Sequence, residues 1–187
     1  MSPDVATFDR FARAYDYAMP RAREERLREG LSVATRERRR VLDLAGGPGR
    51  AVRALDPPAP LVVDAAPGMV RRAHRRGVPG IVGDAGRLPL ADETVDAVLL
   101  VDALHHLPDW PATVREAARV LRPGGAFVVV DFDPSTLRGR ALAAGEHLFG
   151  MESQFAGPDE VAALLSDAGL DASVVTTGFT YVVAGRA

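Results

Sequence analysis

The chain has no cysteine and no lysine, and all 23 of its basic residues are arginine. The first absence removes disulfides, thiolate metal sites and cysteine nucleophiles together. The second removes lysine chemistry. With heavy alanine and glycine use, the arginine bias reports a GC-rich genome rather than a function. No apolar run approaches the ~20 residues of a membrane span. No signal peptide is visible either, because the first 17 residues alternate charged and aromatic side chains where an apolar core would be needed. A cytoplasmic location is the expectation. A formal net charge of −2 creates no global field for nucleic acid, so no nucleic-acid partner is expected. Two basic clusters, Arg36-Glu37-Arg38-Arg39-Arg40 and Arg71-Arg72-Ala73-His74-Arg75-Arg76, read as solvated helix faces before phosphate-binding patches.

What is present is a core. At 187 residues and 47% hydrophobic content, the chain is long enough to bury about two-thirds of its unfolded surface. No repeat, low-complexity segment or linker divides it, so a single domain over 1–187 is expected. Its most informative stretch is Val41-Leu42-Asp43-Leu44-Ala45-Gly46-Gly47-Pro48-Gly49-Arg50. The apolar run has the pattern of a buried strand, and Gly46, Gly47 and Gly49 supply backbone that turns sharply and lets a ligand approach. The helix-forming residues that follow would place this loop at a helix N-terminus, where amide donors face a ligand.

Three further apolar runs also end in acids. Leu61-Val62-Val63 leads to Asp64, 21 residues after Asp43, a spacing that suits a carboxylate gripping ribose hydroxyls. Ile81-Val82-Gly83 leads to Asp84, and the run from Val95 to Val101 leads to Asp102, with His105 and His106 just beyond. Strands near 40–44, 60–64, 79–83, 95–101 and 126–132 alternate with helical patterns near 49–55, 67–76 and 111–121. That rhythm implies a parallel sheet with helices on both faces. Helices are also expected over 3–17, 21–36, 136–149 and 158–168. The strand-like runs 172–176 and 180–184 are joined by a short turn containing Gly178, so they must pair antiparallel.

This order resembles a class I S-adenosylmethionine-dependent methyltransferase. The loop Asp43-Leu44-Ala45-Gly46-Gly47-Pro48-Gly49 is especially similar to that of the ubiquinone/menaquinone C-methyltransferases, and Phe8-Asp9-Arg10-Phe11-Ala12-Arg13-Ala14-Tyr15-Asp16 is similar to their entry helix. The resemblance implies an α/β Rossmann-like methyltransferase fold, a seven-stranded, mostly parallel sheet of order 3-2-1-4-5-7-6 with strand 7 antiparallel. It also implies a cofactor-binding core over 37–187, with residues 1–36 and 132–155 forming the acceptor side.

Carried onto this sequence, the cofactor S-adenosylmethionine would touch Tyr15, Asp43, Ala45, Gly46, Gly47, Gly49, Asp64, Ala65, Met69, Asp84, Ala85, Val101 and Asp102. Each has a plainer alternative. Asp43 would orient the methionine end, or cap local backbone. Asp64 accepts two ribose hydroxyls, caps the next helix, or does both. Ala65 and Met69 flank the adenine or pack in the core. Asp84 accepts from the adenine amino group, with the Ala85 amide donating to the ring, or serves as a turn acid. His105 and His106 lie where the methyl should emerge, so either is a candidate base; either also suits helix capping or packing over the cofactor. No metal site is expected, since no further ligand cluster accompanies Asp102, His105 and His106. Phe11, Tyr15, Tyr17, Leu148, Phe149 and Phe155 line an apolar acceptor pocket or form ordinary apolar helix faces.

The implied reaction is in-line attack by a small, hydrophobic or quinone-like acceptor on the methyl carbon, leaving S-adenosylhomocysteine, in a monomer or homodimer. The rival reading is a non-catalytic binder of the same cofactor. A nicotinamide dehydrogenase would favour the fuller Gly-x-Gly-x-x-Gly pattern, whose third glycine is missing here.

Overall fold

The parallel strands arise where short apolar runs alternate with helix-forming ones. In the computed structural model, which describes residues 23–148 and 153–187, they are Arg40–Leu44 (β1), Ala59–Asp64 (β2), Gly80–Val82 (β3), Val95–Val101 (β4) and Leu121–Phe132 (β5). Asp171–Thr176 (β6) and Thr180–Arg186 (β7) complete one seven-stranded sheet of order β3-β2-β1-β4-β5-β7-β6. β7 runs antiparallel to both β5 and β6, and the remaining pairs are parallel. The helix expected over 3–17 lies outside the described residues.

Alternating side chains of the central strands sort into two layers. Ala97, Leu99, Val128 and Val130 face the side covered by Glu24–Leu31 (α1), Arg50–Leu55 (α2) and Pro67–Arg75 (α3). Val98, Leu100, Phe127 and Val129 face the side covered by Trp110–Val120 (α4) and Pro158–Asp167 (α6). Such a strand is apolar on both faces and reads as a continuous run rather than an alternation. A further helix, Leu137–Leu148 (α5), follows β5. Among the described residues no helix is long and apolar enough to cross a membrane.

Two boundaries differ from expectation for identifiable reasons. The helix expected over 21–36 is the shorter Glu24–Leu31, in which Arg28 pairs with Glu24 at 2.7 Å. Beyond it the Thr35 N–H donates to the Gly124 carbonyl (2.9 Å) and Arg36 crosses to Asp96 (3.0 Å), so tertiary contacts override helix propensity. The fifth strand begins at Leu121 rather than near 126. Arg122-Pro123-Gly124-Gly125 forms an irregular stretch within it, and the register against β4 shifts between Val95 and Ala97. α1 also comes unusually close to the sheet at Gly30, where a Cβ would stand 2.5 Å from a Val128 methyl.

At the N-terminal edge of the sheet the first basic cluster gathers on Asp96, which is 2% exposed. Its Oδ2 accepts from the Arg39 and Arg40 backbone N–H groups at 3.1 and 2.8 Å, and its Oδ1 meets Arg36 and Arg122, each at 3.0 Å. Burial alone would raise this carboxyl. The Arg40 N–H and the Arg122 and Arg36 guanidinium groups outweigh it and hold the pKa below the ordinary carboxylate value. The cluster thus fastens β1, β4 and β5 at the edge opposite the glycine loop.

Candidate active site

β1 delivers Asp43 beneath the glycine loop. Its side chain is buried, and Oδ2 accepts from the Val52 N–H in the first turn of α2 at 3.3 Å. Burial pushes the carboxyl up to about 7, against the opposing pull of that N–H and of the Arg50 charge. A side-chain carbon at Gly46 would overlap the Asp43 carboxyl, so the loop needs glycine there because of a buried acid. Gly47 (φ 56°) and Gly49 (φ 76°) take left-handed backbone. So do the non-glycines Ala45 (φ 50°) and Asp102 (φ 51°), which follow the paired strands β1 and β4. Each costs about 1–2 kcal/mol of backbone strain, and strain of this kind gathers at functional sites.

Asp64, ending β2, ties the neighbouring strand to the loop. Oδ2 accepts from the Gly47 N–H and Oδ1 from the Ala66 N–H, both at 2.8 Å. Burial raises its pKa, and the two amides oppose the rise. Each carboxylate oxygen retains a second acceptor direction. Ala65 is exposed, whereas Met69 is buried with its sulfur 3.6 Å from where a Gly47 Cβ would lie. Beyond β3, Asp84 is exposed and accepts the Gly86 N–H at 2.8 Å, while Ala85 is buried.

The end of β4 carries half-buried Val101 and then Asp102, whose carboxylate meets Arg50 at 3.4 Å. Burial raises the Asp102 pKa despite that cation. The short 3-10 turn Leu104–His106 follows. His105 is 3% exposed, and its Nδ1 lies 2.7 Å from Asp131 Oδ1 near the end of β5. Its Nε2 faces Glu146 of α5 at 3.7 Å, and its ring stacks on Phe155 with centroids 4.7 Å apart. Burial disfavours the charged ring, but Asp131, then Glu146 and Asp102, outweigh it and raise the pKa. The His105 ring is thereby biased toward its protonated form. Its neighbour His106, ring centroids 4.1 Å apart, is pushed down to about 3 by burial and then by the electrostatic effect of His105, and its Nδ1 lies 3.2 Å from Ser153 Oγ.

Tyr15, with Phe11, Tyr17 and Phe149, lies outside the described residues. Leu148 is exposed, whereas Phe155 is brought onto His105. Sequence reasoning missed four side chains here: Arg50, Asp131, Glu146 and Ser153. Asp131 carried a usable signal, since Val128-Val129-Val130-Asp131 repeats the pattern of a strand ending in an acid. Glu146 carried none, being a single acid in a helix of leucine, small and basic residues.

A family model described as a methyltransferase domain matches residues 42–129. A demethylmenaquinone methyltransferase from Corynebacterium urealyticum is 36% identical over 155 residues, 78% of this chain and 66% of that protein. Another from a Mycobacterium species is 42% identical over 113 residues, 58% of this chain and 48% of that protein. The chain thus spans between about half and two-thirds of these relatives' length. Among solved structures, a SAM-dependent methyltransferase from Thermotoga maritima has the same fold with a TM-score of 0.81, at 23% identity, over 97% of this chain and 98% of that one.

Proposed function

We propose that this chain, whose residues 42–129 match a methyltransferase domain, is a class I S-adenosylmethionine-dependent methyltransferase that moves the methyl group of that cofactor to a small, quinone-like aromatic acceptor. One observation carries the reading: Asp64 holds the glycine loop through Gly47 N–H at the same sheet edge at which the His105–Asp131 pair is fixed. The donor set suits the cofactor. Asp64 has acceptor directions for two vicinal hydroxyls, Asp84 is an exposed carboxylate for an amino group, and the Arg50–Asp102 pair matches an amino acid's opposite charges. When bound, the cofactor supplies a methyl already activated by the sulfonium.

The protein's own part is positioning. Asp131 locks the His105 ring, and burial, followed by the neighbouring His105, keeps His106 neutral. A neutral imidazole offers a lone pair to an acceptor hydroxyl, orienting the ring carbon or oxygen that attacks. With its pKa near 3, His106 is a weak base, so an electron-rich acceptor is the better match. The demethylmenaquinone enzymes named above favour the quinone-like class. One domain spanning 1–187, in the cytoplasm, is proposed; of the segment 1–36 expected on the acceptor side, α1 packs instead on a sheet face, and Arg36 reaches Asp96 at the edge opposite the glycine loop.

The test is transfer of a labelled methyl from S-adenosylmethionine to a reduced naphthoquinone lacking its ring methyl, with a catechol and a simple amine in parallel. Labelled naphthoquinol is the expected product. Turnover of the amine alone would overturn the acceptor class.

A further inference from the structure

The His105 cluster has a feature that acid–base chemistry leaves unused. Glu146 presents Oε1 to His105, while its Oε2 is buried with no hydrogen-bond partner among the described residues. A buried carboxylate oxygen left unpaired is costly, and such a group in a native fold calls for a water or an ion.

We propose that His105, His106 and Glu146 bind one divalent transition-metal ion of the zinc class. One ligand atom from each lies within 4.8 Å of the others, and His105 Nε2 stands 3.7 Å from Glu146 Oε1. Ligands around a tetrahedral ion at about 2.0–2.2 Å are separated by about 3.3–3.6 Å, so the cluster needs to close by about 1 Å. The surroundings already aim it. Asp131 takes Nδ1 of His105 at 2.7 Å, leaving Nε2 as the coordinating nitrogen, and a carboxylate behind a histidine ligand is the usual outer support of such sites. Asp131 is itself fixed by the Phe132 N–H (2.8 Å) and the His105 N–H (3.3 Å). Ser153 stands at Nδ1 of His106 in the same supporting position.

Two imidazoles and one carboxylate favour zinc, iron, cobalt or nickel over magnesium and calcium, which prefer all-oxygen sites. Three protein ligands leave a coordination position open. On the methyl-transfer reading above, that position takes an acceptor hydroxyl in place of the His106 lone pair. The hydroxyl binds as its anion with its proton released to solvent, which narrows the acceptors to oxygen-bearing aromatics. Metal binding itself does not depend on that reading. It departs from the sequence expectation of no metal because the third ligand arrives from α5, forty residues after His106.

The test uses the full chain, free of any histidine tag and stripped with EDTA. It is titrated with Zn²⁺ by calorimetry and with Co²⁺ by visible absorption, and separately with S-adenosylhomocysteine. One equivalent of Zn²⁺ at about micromolar affinity or tighter is expected, with Co²⁺ bands of a low-coordinate site. Glu146→Gln and His106→Gln, shown to be folded by circular dichroism and urea unfolding, should each weaken uptake by about tenfold or more. Absence of stoichiometric uptake would overturn the proposal. So would uptake that neither substitution changes, which would assign the ion to other carboxylates. Metal uptake without S-adenosylhomocysteine binding would sink the methyltransferase reading and leave the site standing.

Discussion

Replacing Asp43 with asparagine should make the fold less sensitive to pH. The Asp43 carboxyl is 1% exposed, and burial pushes its pKa from 3.8 up to about 7. A carboxyl whose folded pKa is raised favours the native state while protonated. That contribution is complete below pH 3.8 and is lost as pH rises toward 7. Linkage between these two values makes wild-type stability fall by about 2 kcal/mol between pH 5 and pH 7 on account of this group alone. Asparagine has nearly the same shape and does not titrate. Its oxygen can still accept from the Val52 N–H, although its amide nitrogen cannot replace the second carboxyl oxygen. The assay is urea unfolding of both proteins at pH 5, 6, 7 and 8. Asp64, Asp102 and His105 contribute slopes of the same sign, since each has a raised folded pKa, and they are present in both proteins. The difference between the two proteins therefore isolates Asp43. With a slope of about 2 kcal/mol/M, the wild-type midpoint should drop by about 1 M more than the variant's between pH 5 and pH 7. Parallel pH profiles would refute the claim that this carboxyl is held near neutral pH by burial. A flatter profile combined with weaker S-adenosylhomocysteine binding would show that the acid is retained at a cost in stability.

Three further substitutions test other parts of the structure. Asp96→Ala leaves two backbone N–H groups and two guanidinium groups without their shared acceptor and should cost about 3–5 kcal/mol in urea unfolding; a loss under about 1 kcal/mol would mean that the cluster is surface charge only. Asp96 also has a depressed folded pKa, so the stability it supplies is present above pH 3.8 and should fade as pH drops through its lower folded value. Gly30→Ala, although favourable for a helix in isolation, should cost about 1–3 kcal/mol because the new methyl meets Val128; a neutral result would show that α1 can shift outward. Asp131→Asn should lower the His105 titration midpoint, which NMR should place above 6.5 in the wild type, and an unchanged midpoint would remove Asp131 as its positioning partner.

The sheet was legible because its central strands are apolar on both faces and end in acids, and because the short connection between β6 and β7 permits one geometry. Asp43, Asp64, Asp84 and Asp102 could be found by that rule. Asp131 obeys it too but is less conspicuous, because it still lies within β5 and is followed by Phe132 rather than by a turn or glycine loop. The early end of α1 was not legible. Arg36 looks like one more member of a charged helix face, and only the fold brings Asp96, sixty residues later, within its reach. Glu146 was illegible for the same reason at longer range, since its meaning comes from the histidine it faces. The opposite charge behaviour of His105 and His106 follows from burial and from Asp131, neither of which local sequence reports.

The most direct test of the central claim is a calorimetric titration of the full chain with S-adenosylhomocysteine, repeated with Asp64→Asn and with NAD. Asparagine turns one oxygen into a donor that must face the N–H of Gly47 or Ala66, so it loosens the loop and removes a hydroxyl acceptor at once. Saturable binding at one site per chain, weakened about tenfold or more in Asp64→Asn and absent for NAD, is the predicted result. A folded wild-type protein that ignores S-adenosylhomocysteine, or binds NAD in its place, would contradict the account.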